Sequence, residues 1–370
     1  MADHRGAAFE KNGRIELLRF VFAVCILMFH TTYWQLQRAG FYINEDWCIF
    51  RRYVVAVEAF FIISGYLLAA KLDREKDRPS DHYGQDAFSY LIKKLRQVLP
   101  DHVIAMIGVF TVFGSIYHRG ADFIVFLKEG WASIFLLQPA GFTTNGINTP
   151  VWYLATWLIV SFIYYYLGRK YHDGFVNVWC PIIALFGYGY IAHVSGSLTN
   201  IDDWLGLGYK YMLRGFAGMA LGITAYVIAE RVKESGILAK RTAAITFNII
   251  EAACLILVFR QICSNNEARY DFAAVFFVFV AFVIMVSKPN EGRLNNKAVY
   301  YLGSITLPLY LNQMWAIMLG SNIGIWLKLG NGATIAIICL IAFAAAMLIT
   351  EGKAKAAGWL KKRAAEKAGS

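Results

Sequence analysis

The sequence predicts an all-α, polytopic membrane protein with about ten transmembrane helices and cytoplasmic N- and C-termini. Of its 370 residues, 58% are hydrophobic and 16% are charged, whereas ordinary soluble domains are about 25% charged. Its 27 Phe, 21 Tyr and 10 Trp exclude an intrinsically disordered chain. Apolar runs of transmembrane length recur along nearly the whole sequence, which excludes a soluble protein.

Ten of these apolar runs are long enough to cross a bilayer as helices. They lie at about 14–35, 52–70, 99–117, 151–168, 176–193, 211–229, 243–262, 271–287, 299–319 and 333–350. A further stretch, 123–137, is shorter and carries two charged residues at its centre, which disfavours a crossing. We expect one membrane domain over residues 1–350. Its longest outer loop, 118–150, would carry an interfacial helix around Trp131 and is a candidate lid.

The distribution of charge predicts the orientation of the chain. The 36 Lys and Arg exceed the 25 Asp and Glu, giving a formal net charge of +11. Such an excess of positive charge can indicate binding to nucleic acid. In a membrane protein, however, it normally determines which loops lie on the cytoplasmic side, so no nucleic-acid partner is expected. Ten spans with a cytoplasmic N-terminus place most Lys and Arg inside the cell. Residues 351–370 then form a basic cytoplasmic tail, which we expect to lie on the anionic inner leaflet.

Ionisable residues within apolar spans are candidate functional positions, because each costs at least about 2.5 to 3.5 kcal/mol at the bilayer centre. The first span contains Glu16, Arg19 and His30. The helical period places Arg19 and His30 on the same side of a helix. Glu16 precedes Arg19 by three positions and is close enough to pair with it. The alternative for His30 is a structural histidine bonded to a backbone carbonyl.

The second span adds a carboxylate and a small-residue pair. Glu58 has a depth similar to that of His30, where it could orient the imidazole, although the sequence does not give the rotation of either helix about its axis. Ser64 and Gly65 permit close helix contact and could open a cavity beside aromatic residues, with small-residue packing alone as the alternative. Ser64 has no GxSxG frame, so we do not expect an esterase nucleophile.

A basic segment precedes the third span. Lys93, Lys94 and Arg96 suit a phosphate-bearing ligand, but the cytoplasmic excess of cations that orients membrane proteins would also place them there. The six cysteines form no CxxC pair, so neither a metal site nor a disulfide framework is expected.

These residues resemble the integral-membrane acyltransferase 3 family, which O-acylates sugars and other envelope molecules using acyl-CoA. The resemblance rests on the Glu-Leu-Leu-Arg segment that ends at Arg19, on the spacing from Arg19 to His30, and on the segment from Val57 to Tyr66. The basic segment looks like the inner loop of the family, and Trp152 and Tyr153 look like its Trp-aromatic-Leu motif.

The sequence departs from the family pattern at three positions. Gln97 replaces an arginine of the basic inner loop, and Trp157 stands where many members have a glutamate. Gln313 occupies the histidine position of a Tyr-Leu-x-His element. The resemblance nevertheless follows nearly the whole chain in span order.

The resemblance implies a membrane O-acyltransferase in a bacterial inner or plasma membrane. It would transfer an acyl group, with acetyl favoured, from cytoplasmic acetyl-CoA to a hydroxyl of an extracytoplasmic or lipid-linked carbohydrate. His30 would act as a general base or become transiently acylated, and Glu58 would orient it. Acyl-CoA would reach His30 from the cytoplasm between the first two spans, with Arg19 near the CoA end of this path. Other expected CoA contacts are Lys93, Lys94 and Arg96, and the expected substrate contacts are Glu16, Ser64, Trp152, Tyr153, Asn312 and Gln313.

Two other function classes stay open at this point. Ten helices with midspan charges also fit a transporter or flippase of lipid-linked sugars, although no paired half-repeats are visible. A binding or sensor protein would bind CoA without turnover. The sequence leaves the acceptor, the acyl group and the oligomeric state open.

Overall fold

The computed structural model describes residues 11–35, 49–116, 123–138, 141, 148–265 and 267–368. Within these residues no strand is present, and the predicted all-α class is confirmed. The helices are α1 (Gly13–Phe29, continued by the π-helical turn His30–Gln35), α2 (Val54–Glu75), α3 (Tyr83–Ile116), α4 (Phe123–Ile134), α5 (Val151–Lys170), α6 (His172–Ser195), α7 (Lys210–Glu234), α8 (Arg241–Ile262), α9 (Tyr270–Ser287), α10 (Lys297–Trp326) and α11 (Asn331–Ala368).

Nine helices in the described part of the chain are long and apolar enough to cross a membrane, and they coincide with nine of the ten predicted spans. The remaining predicted span, 299–319, lies within α10, which is 30 residues long. Two consecutive amides, Asn312 and Gln313, lower the hydropathy of this helix. The number of crossings and the orientation of the termini stay predictions.

Helix α2 lies at the centre of the bundle, and 83% of the residues in its most apolar stretch are buried. Two glycines bring it close to α7. A Cβ atom on Gly65 would lie 2.0 Å from the carbonyl oxygen of Met219, and one on Gly222 would lie 2.0 Å from that of Ile62. The close helix packing expected at the Ser64-Gly65 pair is therefore confirmed.

Helix α1 is fixed at its start by capping and by contact with the segment before α10. The side chain of Asn12 accepts hydrogen bonds from the backbone amides of Arg14 and Ile15. The amide of Gly13 donates to Asn295 Oδ1 at 2.7 Å. These contacts fix the position from which α1 carries its polar residues into the bundle.

The predicted outer loop contains a helix, and the basic tail is helical where it is described. Helix α4 has 12 residues and contains Trp131, as expected, and the carbonyl of Ile134 bonds to Nε2 of His102 at 3.0 Å. Several residues of the loop 118–150 lie outside the described part, so its role as a lid stays a prediction. Residues 351–368 continue α11 without a break, and Lys353 pairs with Asp101 of α3 at 2.6 Å.

Candidate active site between two chambers

A cavity of about 320 Å³ lies among α1, α2, α3, α5 and α10, and we call it the cationic chamber. Three cations line it: Arg19, Lys71 and Lys94. Ser64 and Tyr153 also line it, and their hydroxyl oxygens are 3.2 Å apart. The structure thus brings four predicted residues together with Lys71, and it confirms the cavity beside Ser64.

The predicted basic trio of α3 is divided by helix geometry. Lys94 lines the cationic chamber, whereas Lys93 and Arg96 are exposed and do not. Successive residues of a helix are rotated by about 100°, so neighbouring positions face different directions. The ammonium group of Lys94 lies 5.8 Å from the ring centre of Trp157, the residue that replaces a family glutamate.

Lys71 was missed because it follows the apolar run of α2 and resembles an ordinary cytoplasmic flanking charge. Its spacing offered a signal: Lys71 is seven positions after Ser64, two helical turns along the same face. Its ammonium group pairs with Glu75 and lies over the ring of Tyr90.

Arg19 forms the ion pair predicted from its sequence spacing. Its Nη1 lies 3.2 Å from Glu16 Oε2. Glu16 packs against Gly303 of α10, where a Cβ atom would overlap the carboxylate. Glu16 does not line either chamber, and its ionic partner in this structure is Arg19.

A second cavity, of about 500 Å³, contains His30, and we call it the histidine chamber. Trp152 forms part of its wall. Aromatic faces combined with a few hydrogen-bonding groups are typical of small-molecule sites. The other aromatic and hydrogen-bonding wall residues are Phe29, Tyr53, Tyr310, Arg51, Arg52, Thr149, Thr199, Asn200 and Asp202.

The charges at the wall of the histidine chamber are partly neutralised. Nε of Arg52 donates to Asp271 at 2.9 Å, and Nε2 of Gln261 donates to the same carboxylate oxygen at 2.9 Å. In the loop before α7, partial burial and the neighbouring carboxylate of Asp203 raise the pKa of Asp202.

Gln313 determines which nitrogen of His30 carries the proton. The amide Nε2 of Gln313 donates to the carbonyl of Tyr310 at 2.7 Å, which leaves its Oε1 facing Nδ1 of His30 at 2.9 Å. An amide oxygen only accepts hydrogen bonds, so Nδ1 carries the hydrogen. The neutral imidazole then has its lone pair on Nε2.

The hypothesis of a direct contact between His30 and Glu58 is wrong for this structure. Glu58 is fully buried, and its Oε1 accepts from Nε of Arg214 at 2.5 Å. Its Oε2 accepts from the hydroxyl of Tyr188. A buried arginine requires a counter-charge, and Arg214 satisfies this requirement with Glu58. The sequence could not reveal the pair, because the two residues are 156 positions apart on different helices.

Arg214 links Glu58 to the histidine chamber. Its guanidinium carbon lies 5.1 Å from the ring centre of Trp152, which forms part of the chamber wall. Its Nη1 donates to the carbonyl of Leu198 at 2.9 Å. Glu58 therefore supports the position of Trp152 through Arg214. The signal for Arg214 was its place inside an apolar span, where an ionisable group is costly.

Tyr310 lies between the two chambers and lines both. Asn312 and Gln313 follow it on α10 but line neither chamber. The amide nitrogen of Asn312 donates to the carbonyl of Pro308 at 2.9 Å, and its oxygen accepts from Nε1 of Trp315 at 2.8 Å. Both residues were expected to contact the substrate. In this structure Asn312 makes its side-chain hydrogen bonds within α10, and Gln313 bonds to His30.

Comparison with known proteins assigns a family to this arrangement. A family model described as an acyltransferase domain, that of the acyltransferase 3 family, matches residues 12–351. The match covers nearly the whole chain and includes every residue that lines the two chambers. Neither a curated protein nor a solved structure matches the chain. The chain therefore belongs to the acyltransferase 3 family and is a membrane acyltransferase.

Proposed function

We propose that the protein transfers an acetyl group from cytoplasmic acetyl-CoA to a hydroxyl of an extracytoplasmic or lipid-linked carbohydrate in a bacterial inner or plasma membrane. The observation that carries the proposal is the contact of two different chambers at one residue, Tyr310. One chamber is cationic, as an anionic nucleotide thioester requires. The other contains an imidazole with a basic nitrogen, as the activation of a hydroxyl requires.

The cationic chamber suits the donor. Arg19, Lys71 and Lys94 supply charge-assisted hydrogen bonds for the phosphates of CoA. The remaining wall is mainly apolar and aromatic, which suits the uncharged arm that carries the thioester. The family assignment supports the use of an acyl donor, and the resemblance implies acetyl as the common acyl group.

The histidine chamber suits the acceptor. Trp152 and Tyr53 offer aromatic faces, while Thr199 and Asn200 offer hydrogen-bonding groups to sugar hydroxyls. An acceptor hydroxyl in this chamber would reach His30 without passing the three cations.

The chemical step uses the neutral imidazole. Nε2 of His30 accepts the proton of the acceptor hydroxyl while the hydroxyl oxygen bonds to the thioester carbonyl carbon. The carbon–sulfur bond then breaks, and the proton passes from His30 to the leaving thiolate, which departs as CoA. Gln313 holds Nδ1–H throughout. In the alternative course, Nε2 first bonds to the carbonyl carbon as the carbon–sulfur bond breaks and CoA leaves as the thiolate. The acceptor oxygen then bonds to the acetyl carbon as the carbon–nitrogen bond breaks, and the hydroxyl proton goes to the thiolate through Nε2, which regenerates neutral His30.

The test supplies radiolabelled acetyl-CoA to inside-out membrane vesicles that contain the native acceptor pool. Label is measured in alkali-labile glycan and lipid-linked fractions for the native chain and for His30→Ala, at matched expression. His102→Ala serves as the control, because His102 is also a buried histidine but lines neither chamber.

We expect incorporation with the native chain and His102→Ala, and a loss on the order of 10²- to 10⁴-fold with His30→Ala. Equal incorporation with His30→Ala would remove His30 from the mechanism. No incorporation by the native chain would contradict acetyl transfer and favour another donor, or the transport or binding hypotheses.

A further inference from the structure

We propose that the side chain of Tyr310 separates the acyl donor from the water of the histidine chamber, so that the thioester reacts with the acceptor rather than with water. This inference rests on the proposed function. In this proposal Tyr310 sets the ratio of transfer to hydrolysis. It acts as a positioning residue and does not itself accept or donate a proton in the reaction.

The position of the ring carries the inference. Among the described residues, Tyr310 is the one that lines both chambers. Its neighbours differ on the two sides: Phe60 and Tyr153 line the cationic chamber, while Pro150 lines the histidine chamber. A path from the three cations to His30 across the wall that the two chambers share therefore passes Tyr310.

Three contacts hold the ring in this position. Its centre lies 6.2 Å from that of Phe60 and 5.8 Å from that of Tyr153, in tilted and edge-to-face arrangements. Its hydroxyl donates to the carbonyl of Pro150 at 3.0 Å. Two of these contacts depend on the ring alone, so the barrier is mainly aromatic rather than polar.

The partition is connected to the catalytic histidine. The carbonyl of Tyr310 accepts the hydrogen bond from Gln313, whose other end holds Nδ1–H of His30. Two positions before Tyr310, Pro308 has no amide hydrogen and removes one bond from the helix ladder. The hydrogen-bond ladder of α10 is therefore interrupted in the turn before Tyr310, and in this proposal a bound acceptor displaces the ring there.

The chemical consequence is specific. Without the ring, water at His30 can form a bond to the acyl carbon while the carbon–sulfur bond breaks, which releases acetate and CoA. Enzymes commonly exclude water to prevent this kind of side reaction. Removing the ring should therefore increase hydrolysis relative to transfer, whereas a general loss of folding would lower both together.

The test measures two products from labelled acetyl-CoA in the same inside-out vesicles: label in the acceptor fraction and free labelled acetate. Vesicles without the protein give the background. The variants are Tyr310→Ala and Tyr310→Phe, which keeps the ring. Tyr164→Ala is the matched control, because Tyr164 is buried, donates its hydroxyl to a backbone carbonyl at 2.8 Å and lines neither chamber.

We expect Tyr310→Ala to raise the ratio of hydrolysis to transfer at least about tenfold, and Tyr310→Phe and Tyr164→Ala to keep the native ratio. An unchanged ratio in Tyr310→Ala would overturn the partition while leaving the proposed function intact. Absence of transfer by the native chain would instead contradict the proposed function.

A second measurement decides the partition without any activity. Ser64→Cys places a thiol in the wall of the cationic chamber. A charged thiol reagent is then applied to right-side-out vesicles. Mass spectrometry measures the rate at which residue 64 is modified. Adding Tyr310→Ala should speed the modification at least about tenfold, whereas adding Tyr310→Phe should not. Equal rates with and without the ring would overturn the proposal.

Discussion

The Nδ1 atom of His30 lies 2.9 Å from Oε1 of Gln313, although the two residues are 283 positions apart in the chain. The amide fixes the tautomer of the imidazole and leaves Nε2 basic. Gln313 stands at the histidine position of the Tyr-Leu-x-His element that this segment resembles. The departure from the family pattern thus places a neutral amide, which does not titrate, beside the candidate base.

Gln313→Ala should lower kcat for acetyl transfer on the order of 10- to 100-fold, because the imidazole loses the partner that holds its proton on Nδ1. Gln313→Glu retains an acceptor oxygen and should keep more activity than the alanine variant. The measurement is initial transfer rate against acetyl-CoA concentration. Asn312→Ala is the control, because Asn312 makes its side-chain bonds within α10. If both alanine variants lose the same activity, Gln313 has no special role.

Lys94→Gln should raise the KM for acetyl-CoA about tenfold, because its ammonium group lines the cationic chamber. Lys93→Gln should change KM little, because Lys93 is exposed on another face of α3. The two variants remove the same charge from adjacent positions, so a difference between them reports the chamber rather than the surface potential. Equal KM values for Lys93→Gln and Lys94→Gln would argue against phosphate binding in the chamber.

Glu58→Gln should destabilise the protein by about 3 to 5 kcal/mol, because it leaves the guanidinium of Arg214 buried without a counter-charge. Arg214→Met should destabilise the protein by a similar amount, because it leaves the carboxylate of Glu58 buried without a counter-charge. The double variant should be more stable than the sum of the single effects indicates. Thermal unfolding in detergent, followed by size-exclusion chromatography, measures all three. Strictly additive losses would show that the two side chains do not interact.

Gly222→Ala should destabilise the bundle by at least about 1 to 3 kcal/mol. The added Cβ atom would lie 2.0 Å from the carbonyl oxygen of Ile62 and would force α2 and α7 apart. Gly84→Ala provides the control, because nothing lies within 4 Å of the added carbon. That substitution should be neutral or slightly stabilising, given the higher helix propensity of alanine. Comparable melting temperatures for the two variants would contradict the close approach.

Much of the fold followed from local properties of the sequence. Apolar runs of transmembrane length predicted the long helices, because the length and composition of a span are local quantities. The pairing of Arg19 with Glu16 was equally local, as neighbours three positions apart share a helix face. The same logic could have identified Lys71, which follows Ser64 by two turns.

The candidate site was only partly predictable for a geometric reason. His30 and Glu58 were correctly identified as polar residues inside spans, but their partners depend on how each helix is rotated about its axis. That rotation paired Glu58 with Arg214 and His30 with Gln313. It also turned Lys94 toward the cationic chamber and Lys93 away from it.

The sequence by itself determined that the chain is a helical membrane protein and that its first two spans carry Glu16, Arg19, His30 and Glu58, because a charge in an apolar run is visible without a structure. Only the tertiary structure decided that Arg19 and His30 line two different chambers that adjoin at Tyr310. A chamber is formed by side chains from several helices, and their relative rotation and depth result from packing across the whole bundle, which no single segment encodes.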